Sequence, residues 1–257
     1  MGSFGLGSTA TGAVHDADAL EAVSFDNFKL AMRDRRAQHT PMLRDKNDKP
    51  QPYKAPKRSW FDEKSWALTR GITLHQTACD MGERLERYDT IGAHFSVLRS
   101  GNVIRHCDEN HIIYHGHGWN NQCVGIEING LYPGLEDDPD TAPNEALQTT
   151  WDDKSTPWRE QPMTVTPQAM RATRMLIRWI CLNVGFHRGA IQALCTHRQA
   201  SSQRRSDPGQ AICEQVLVPL WKELGLSAGG PGFKIGDGYP NPTAWTKERV
   251  DGKEIPY

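Results

Sequence analysis

Two histidines, an aspartate and a glutamate stand where a hydrolytic centre could be assembled. His75 lies in Gly71-Ile72-Thr73-Leu74-His75-Gln76-Thr77-Ala78, and Glu127 in Val124-Gly125-Ile126-Glu127-Ile128-Asn129-Gly130. His197 follows Thr196, and Asp207 sits in Arg205-Ser206-Asp207-Pro208-Gly209. Two imidazoles and one carboxylate give Zn²⁺ three protein ligands and leave a fourth position for water, the arrangement of a catalytic rather than a structural site. A nearby glutamate would then handle the protons. Each residue also has a plainer reading. His75 could be a half-buried strand histidine, Glu127 an exposed strand residue and His197 a loop hydrogen-bonder. Asp207 before Pro208 could cap a helix.

Composition narrows the class. The chain has 257 residues and a formal net charge of -1, with 30 basic against 31 acidic side chains, so no nucleic-acid footprint is expected. The mean hydropathy of -0.63 fits a loop-rich soluble protein, and no apolar run is long enough to span a bilayer. No basic stretch followed by an apolar one opens the chain, so no Sec-type signal is expected, and Leu6 breaks the myristoylation pattern. The six cysteines form no close C-x-x-C pair and read as buried thiols, with one or two disulfides open in an oxidising compartment.

The elements that must position these residues follow from pattern. Residues 1–16 are small and polar. An amphipathic stretch from Asp18 to about Gln38 reads as one or two short helices, and residues 40–58 as a proline-rich connector. Residues 71–76 alternate as a strand, as does Val124, Ile126, Ile128 against Gly125, Glu127, Asn129. His94–Leu98 and Asn102–His106 predict a hairpin turning at Ser100-Gly101. An acidic insertion fills 131–165. A helix follows, capped by Thr166, with Pro167 in its first turn, an apolar stripe of Ala169, Ala172, Leu176, Ile180 and Val184, and Gly185 at its end. Ile191–Cys195 is a strand delivering His197, and Pro208 to about Leu224 a last helix. Strands and helices in this order predict an α/β domain with one central mixed sheet flanked by helices.

Order and spacing then carry a resemblance over roughly residues 67–224. Leu74-His75-Gln76-Thr77-Ala78, Ala93-His94-Phe95-Ser96-Val97 with Ser100-Gly101, and Tyr114-His115-Gly116 with Trp119-Asn120 and Val124-Gly125-Ile126-Glu127 are three of its parts. The fourth is His197 with Arg205 eight and Asp207 ten positions on. Together they resemble the zinc-dependent N-acetylmuramoyl-L-alanine amidases of the amidase-2 family. That family includes phage endolysins, amidases that recycle anhydro-muropeptides, and peptidoglycan recognition proteins.

The resemblance implies a single amidase-2-type domain over 67–226 with the 131–165 insertion, an N-terminal extension over 1–66 and a Gly/Pro-rich tail over 227–257. It implies zinc on His75, His197 and Asp207, Glu127 as acid/base, and His115 and Asn120 lining a sugar–peptide groove, with His117 also placed to contact substrate. Arg205 departs from the lysine of many active members; arginine stays charged and can only donate, which leaves proton transfer to Glu127 and gives Arg205 the oxyanion. The register between Arg204 and Arg205 stays open. The implied activity is hydrolysis of the amide between N-acetylmuramic acid and the L-alanine of the stem peptide, with a non-catalytic peptidoglycan-binding module as the alternative. A generic zinc peptidase fits less well, since no H-E-x-x-H helix is present. The expected partner is peptidoglycan or a muropeptide. The expected setting is synthesis in the cytoplasm and action on the wall in the periplasm, reached by phage-type (holin-assisted) release or a secretion machine, with a cytoplasmic recycling role as the alternative.

Overall fold

A computed structural model describes residues 32–44, 49–52, 54, 69–132, 134, 163–184, 190–227, 232–250 and 253–256. Its centre is a six-stranded mixed sheet. The strands are β1 (Met32–Asp34), β4 (Gly71–Gln76), β5 (Phe95–Val97), β6 (Val103–Arg105), β7 (Cys123–Ile128) and β8 (Ala193–Thr196), in the spatial order β1-β6-β5-β7-β4-β8. Only the β5–β6 hairpin pairs antiparallel; β1 on β6, β5 on β7, and β4 between β7 and β8 all run parallel. Among the described residues two small antiparallel ribbons lie outside this sheet, β2 (Met42–Arg44) with β3 (Pro50–Pro52) and β9 (Lys247–Val250) with β10 (Lys253–Pro256).

Alternation gives the sheet two chemically different faces. Ile72 and Leu74 of β4 join Val124, Ile126 and Ile128 of β7 in the main apolar core. The residues between them, Thr73, His75, Gly125 and Glu127, belong to the opposite face. Every residue of β4 is buried, as expected for a strand with parallel neighbours on both sides.

The long helix α1 (Pro167–Asn183) covers the apolar face. Thr166 is its N-cap, accepting from the Ala169 N–H at 3.1 Å and donating to the Arg99 carbonyl at 2.5 Å. The expected stripe is buried, joined by Ile177 and Trp179. Arg174 and Arg178, off that stripe, reach the second helix through the Gln215 carbonyl and a pair with Glu223 at 2.6 Å. That helix, α2, opens with Gln210–Ile212, widens into a π turn over Cys213–Leu217 and closes as Val218–Leu224. Pro219 lacks an N–H and its ring would crowd the preceding turn, so the wider turn just before it relieves a clash that a regular helix would suffer. Gly209, not Asp207, occupies the N-cap position, which frees the aspartate from the capping role.

Three expectations meet a different outcome. Met32, read as part of a helix, begins an edge strand pairing with Val103–Arg105, and Arg35 fastens it by donating to Asp89 at 2.9 and 2.5 Å. An open edge of β6 offers unpaired backbone groups, and satisfying them outweighs a weak helical pattern. Part of the proline-rich connector forms the β2–β3 ribbon. The tail carries a docked segment, with Trp245 fully buried. Residues 18–31 of the expected helix, Gly185 and most of the 131–165 insertion lie outside the described residues. All six cysteines are free thiols.

Leu176, fully buried in the α1–sheet interface, is expected to cost about 2–5 kcal/mol on truncation to alanine. The same change at exposed Leu182 on the same helix should stay within about 0.5 kcal/mol, and urea denaturation of both variants measures the contrast. His106 supplies a pH test. Burial, with His39 and Arg35 nearby, holds its imidazole down from 6.5 to about 3, and Nε2 bonds the Ser96 hydroxyl at 2.8 Å. Between those two values the unfolded chain takes a proton that the folded one refuses. This residue's contribution therefore falls as pH drops below about 6.5 and is constant above it. His106→Gln should lose less stability than the wild type between pH 7 and pH 5; an equal loss would assign the acid sensitivity elsewhere.

Candidate metal centre

Parallel strands bring their carboxyl ends to one edge, and in open α/β sheets that edge is where ligands bind. Here the neighbours β7, β4 and β8 put Glu127 and His75 side by side in register and release His197 just past the end of β8. A short 3-10 turn, His197–Gln199, follows at once, its start held by the Thr196 N–H donating to Gln199 Oε1 at 3.0 Å. The chain then loops over 201–206 and returns Asp207 to the same place, tied by the Arg198 N–H donating to the Asp207 carbonyl at 3.0 Å.

His75, His197 and Asp207 converge. Nδ1 of His75 faces Nδ1 of His197 at 2.9 Å, and Nδ1 of His197 faces Oδ2 of Asp207 at 2.9 Å. One donor atom from each of the three lies within 4.8 Å of the others, and all three residues are buried. The Gln76 backbone N–H donates to the other carboxylate oxygen, Oδ1, at 2.9 Å, which fixes how Asp207 presents itself. Two neutral ring nitrogens facing each other can share only one proton, so lone pairs crowd together beside a carboxylate. This electron-rich cluster fits a divalent cation, and its imidazole–carboxylate donor set suits zinc.

Electrostatics agree with that chemistry. Burial, followed by the neighbouring imidazole of His197, holds His75 well below its ordinary value, and burial followed by Arg204 does the same to His197. Both rings are therefore neutral, the form that binds metals. Glu127 is half-buried, yet its Oε2 is sealed from solvent with no hydrogen-bond partner. Burial first and the Asp207 charge second push its carboxyl well above the usual range, with Arg204 opposing. Burial also raises Asp207, against the pull of His75, Arg204 and the Gln76 N–H. A desolvated carboxyl with one oxygen unpartnered, beside a cluster whose donors suit a cation, is a stronger base than a solvated one.

The two arginines left open in the sequence differ here. The Arg205 guanidinium lies over the Tyr239 ring, 4.7 Å from its centroid, and donates to the Tyr239 hydroxyl at 2.8 Å. Arg204 is exposed, and its charge acts on His75, His197, Glu127 and Asp207 alike. His115 is buried behind His75, while exposed His117, with φ of 51°, brings Nδ1 to 3.2 Å from Nε2 of His197. Asn120 is half-buried, and its Oδ1 accepts from the His115 and Gly116 N–H groups at 2.8 and 2.7 Å.

Sequence reasoning missed several supports. Gln76 donates through Nε2 to the Ser206 and Tyr132 carbonyls at 2.6 and 3.1 Å, and its Oε1 accepts the Tyr132 N–H, so one side chain joins both loops that flank the centre. Buried Arg198 donates to the Pro240 and Arg205 carbonyls at 2.8 and 2.7 Å and lies 5.5 Å from the ring centroids of both Tyr239 and Trp245. It clamps residues 239–245 of the tail against the His197 turn. Adjacency of Arg198 to His197 was the one available signal, and its partners lie too far along the chain to be read from spacing.

The N-acetylmuramoyl-L-alanine amidase family model matches residues 65–210, more than half of the chain. The chain belongs to this family. No curated protein matches it. Among solved structures it is similar to the endolysin N-acetylmuramoyl-L-alanine amidase LysCS from Clostridium intestinale URNW, at 18% identity over 68% of this chain and 93% of that one, with a TM-score of 0.42. Bumblebee PGRP-SA matches at 16% identity over 74% of this chain and 94% of that one, TM-score 0.45. Drosophila PGRP-LB matches at 14% identity over 78% and 98%, TM-score 0.42. All four matching segments of this family member, from His75 to Asp207, fall inside residues 65–210.

Gln76→Ala should destabilise the protein by about 1–3 kcal/mol for each buried group it leaves unpartnered. It should also loosen the Ser206 and Tyr132 loops, visible as faster amide hydrogen exchange there. Unchanged exchange would deny Gln76 its bridging role.

Proposed function

We propose that this chain hydrolyses the amide joining the lactyl group of N-acetylmuramic acid to the L-alanine of a peptidoglycan stem peptide. His75, His197 and Asp207 would hold Zn²⁺. Bound there, the ion would lower the pKa of a water to about 7 and polarise the amide carbonyl. The reading rests on family membership together with one observation: three donor atoms within 4.8 Å of one another, beside an orphaned buried carboxyl oxygen.

Glu127 is the proton carrier. Its carboxylate takes a proton from the attacking water as the new C–O bond forms, and burial makes it basic enough to do so. It returns that proton to the alanine nitrogen as the C–N bond breaks. The products are a lactyl carboxylate and a free alanine amine. Arg204, rather than Arg205, carries the positive charge that steadies the developing oxyanion; its field already reaches both carboxylates of the centre. Arginine contributes charge and N–H donors but no proton. Action on the wall outside the cytoplasm belongs to the same proposal; among the described residues no helix is long and apolar enough to cross a membrane.

Glu127→Gln should keep zinc and lose about 10²–10⁴-fold in turnover of peptidoglycan fragments, the usual worth of a positioned acid/base. Asp207→Ala should lose the metal itself, read by elemental analysis. Arg204→Ala should slow turnover while Arg205→Ala mainly lowers the melting temperature; the reverse pattern would return the role to Arg205. Mass spectrometry of digests with and without a chelator decides the activity. New alanine amino termini that vanish with the chelator support hydrolysis, and binding without cleavage would leave a recognition module.

A further inference from the structure

With the ring behind His75 taken as neutral imidazole, one tautomer satisfies both of its contacts. Nε2 of His115 faces the Cys123 carbonyl at 3.2 Å, and a carbonyl can only accept, so that nitrogen carries the hydrogen. In a neutral imidazole the other nitrogen is then an acceptor. That nitrogen, Nδ1, lies 2.9 Å from Nε2 of His75, which must donate to it. His75 is left with an unprotonated Nδ1, the atom facing His197 in the cluster with Asp207. A single backbone carbonyl thus dictates, through two rings, where His75 presents its lone pair.

We propose that His115 is a positioning residue that fixes the tautomer of His75 for metal binding, with His117 giving the weaker, solvent-side counterpart for His197. The proposal rests on the reading of His75, His197 and Asp207 as a metal site and deepens it. His115 is built for the task. It is buried, and its ring meets His75 edge-on at 5.1 Å and His94 at 5.7 Å. The Asn120 Oδ1 holds its backbone N–H at 2.8 Å. Its ring lies directly on Gly125, where an added Cβ would come within 2.7 Å of Cγ and Nδ1, so only glycine leaves room for it. His94 holds that strand residue in turn, accepting the Gly125 N–H at 3.0 Å and donating to the His111 carbonyl at 3.0 Å.

His117 repeats the pattern on the other imidazole. Its Nδ1 meets Nε2 of His197 at 3.2 Å, the nitrogen pointing away from Asp207. It is exposed, so water can take its place. The loop His115–Gly116–His117 thereby serves both ligand rings, using imidazole where a carboxylate or carbonyl acceptor is more usual.

The test measures zinc affinity by competition with a chromophoric chelator, for the wild type, His115→Ala, His115→Asn and His117→Ala, with melting curves for each. Asparagine offers an acceptor oxygen about where Nδ1 stands. Alanine at 115 should weaken binding by about 10–100-fold, the usual worth of such an outer partner. Asparagine should recover most of that loss, and alanine at 117 should cost less than alanine at 115. Ring ¹⁵N spectra of the wild type, with or without zinc, should show His75 protonated at Nε2 and not at Nδ1. Full affinity in His115→Ala, an asparagine variant no better than alanine, or an Nδ1 proton on His75 would overturn the proposal while leaving the metal site standing. A wild type that binds no zinc would remove the metal site and the proposal together.

Discussion

The structure depends on polar groups that are forced out of water at the carboxyl ends of three adjacent parallel strands. β4, flanked on both sides by parallel neighbours, has no solvent-facing side, so His75 and Gln76 must find protein partners. An unpaired buried polar group costs about 1–3 kcal/mol, so each of these residues selects the geometry of whatever meets it. Asp207 shows the consequence. One oxygen takes the Gln76 N–H and the other faces His197, so the carboxylate cannot turn without losing both. The loop 201–206 is pinned at the Ser206 carbonyl by the same Gln76.

Among the buried polar groups left without a partner, Glu127 is the one that lies beside this cluster. Glu127 sits in register beside His75 but keeps a sealed, unpartnered oxygen. Folding stability would favour an apolar residue there, since burying a carboxyl without a partner is costly. A group maintained at such cost in a site with neutral imidazoles and a second carboxylate is suited to carrying a proton. Arg204 moderates the cost from solvent, opposing the rise of both carboxyls.

Much of this was legible in the residues. The central sheet followed from alternation in 71–76 and 124–129, and α1 from its cap and stripe, because local pattern and burial agree in those segments. The grouping of His75, His197 and Asp207 came from the family resemblance that their order and spacing carried, since each residue alone also had a plainer reading. Long-range pairing was not legible. Met32 carries a helix-compatible pattern yet completes the sheet edge. Arg204 and Arg205 are neighbours in an irregular loop without periodicity, and their different surroundings come from the distant Tyr239, which Arg205 meets. Gly- and Pro-rich composition in the tail announced turns but not that Arg198 would hold Tyr239 and Trp245. His115 was read as groove lining; its burial behind His75 depends on Gly125, two strand positions from His75's register partner.

The central claim is that one cation joins residues 75, 197 and 207. Anomalous diffraction at the zinc edge, from crystals grown with stoichiometric zinc, tests it most directly. A single strong peak bonded to His75, His197 and Asp207, with Glu127 near but not bonded, is the predicted result. A zinc peak elsewhere, or none between these three side chains, would contradict the account.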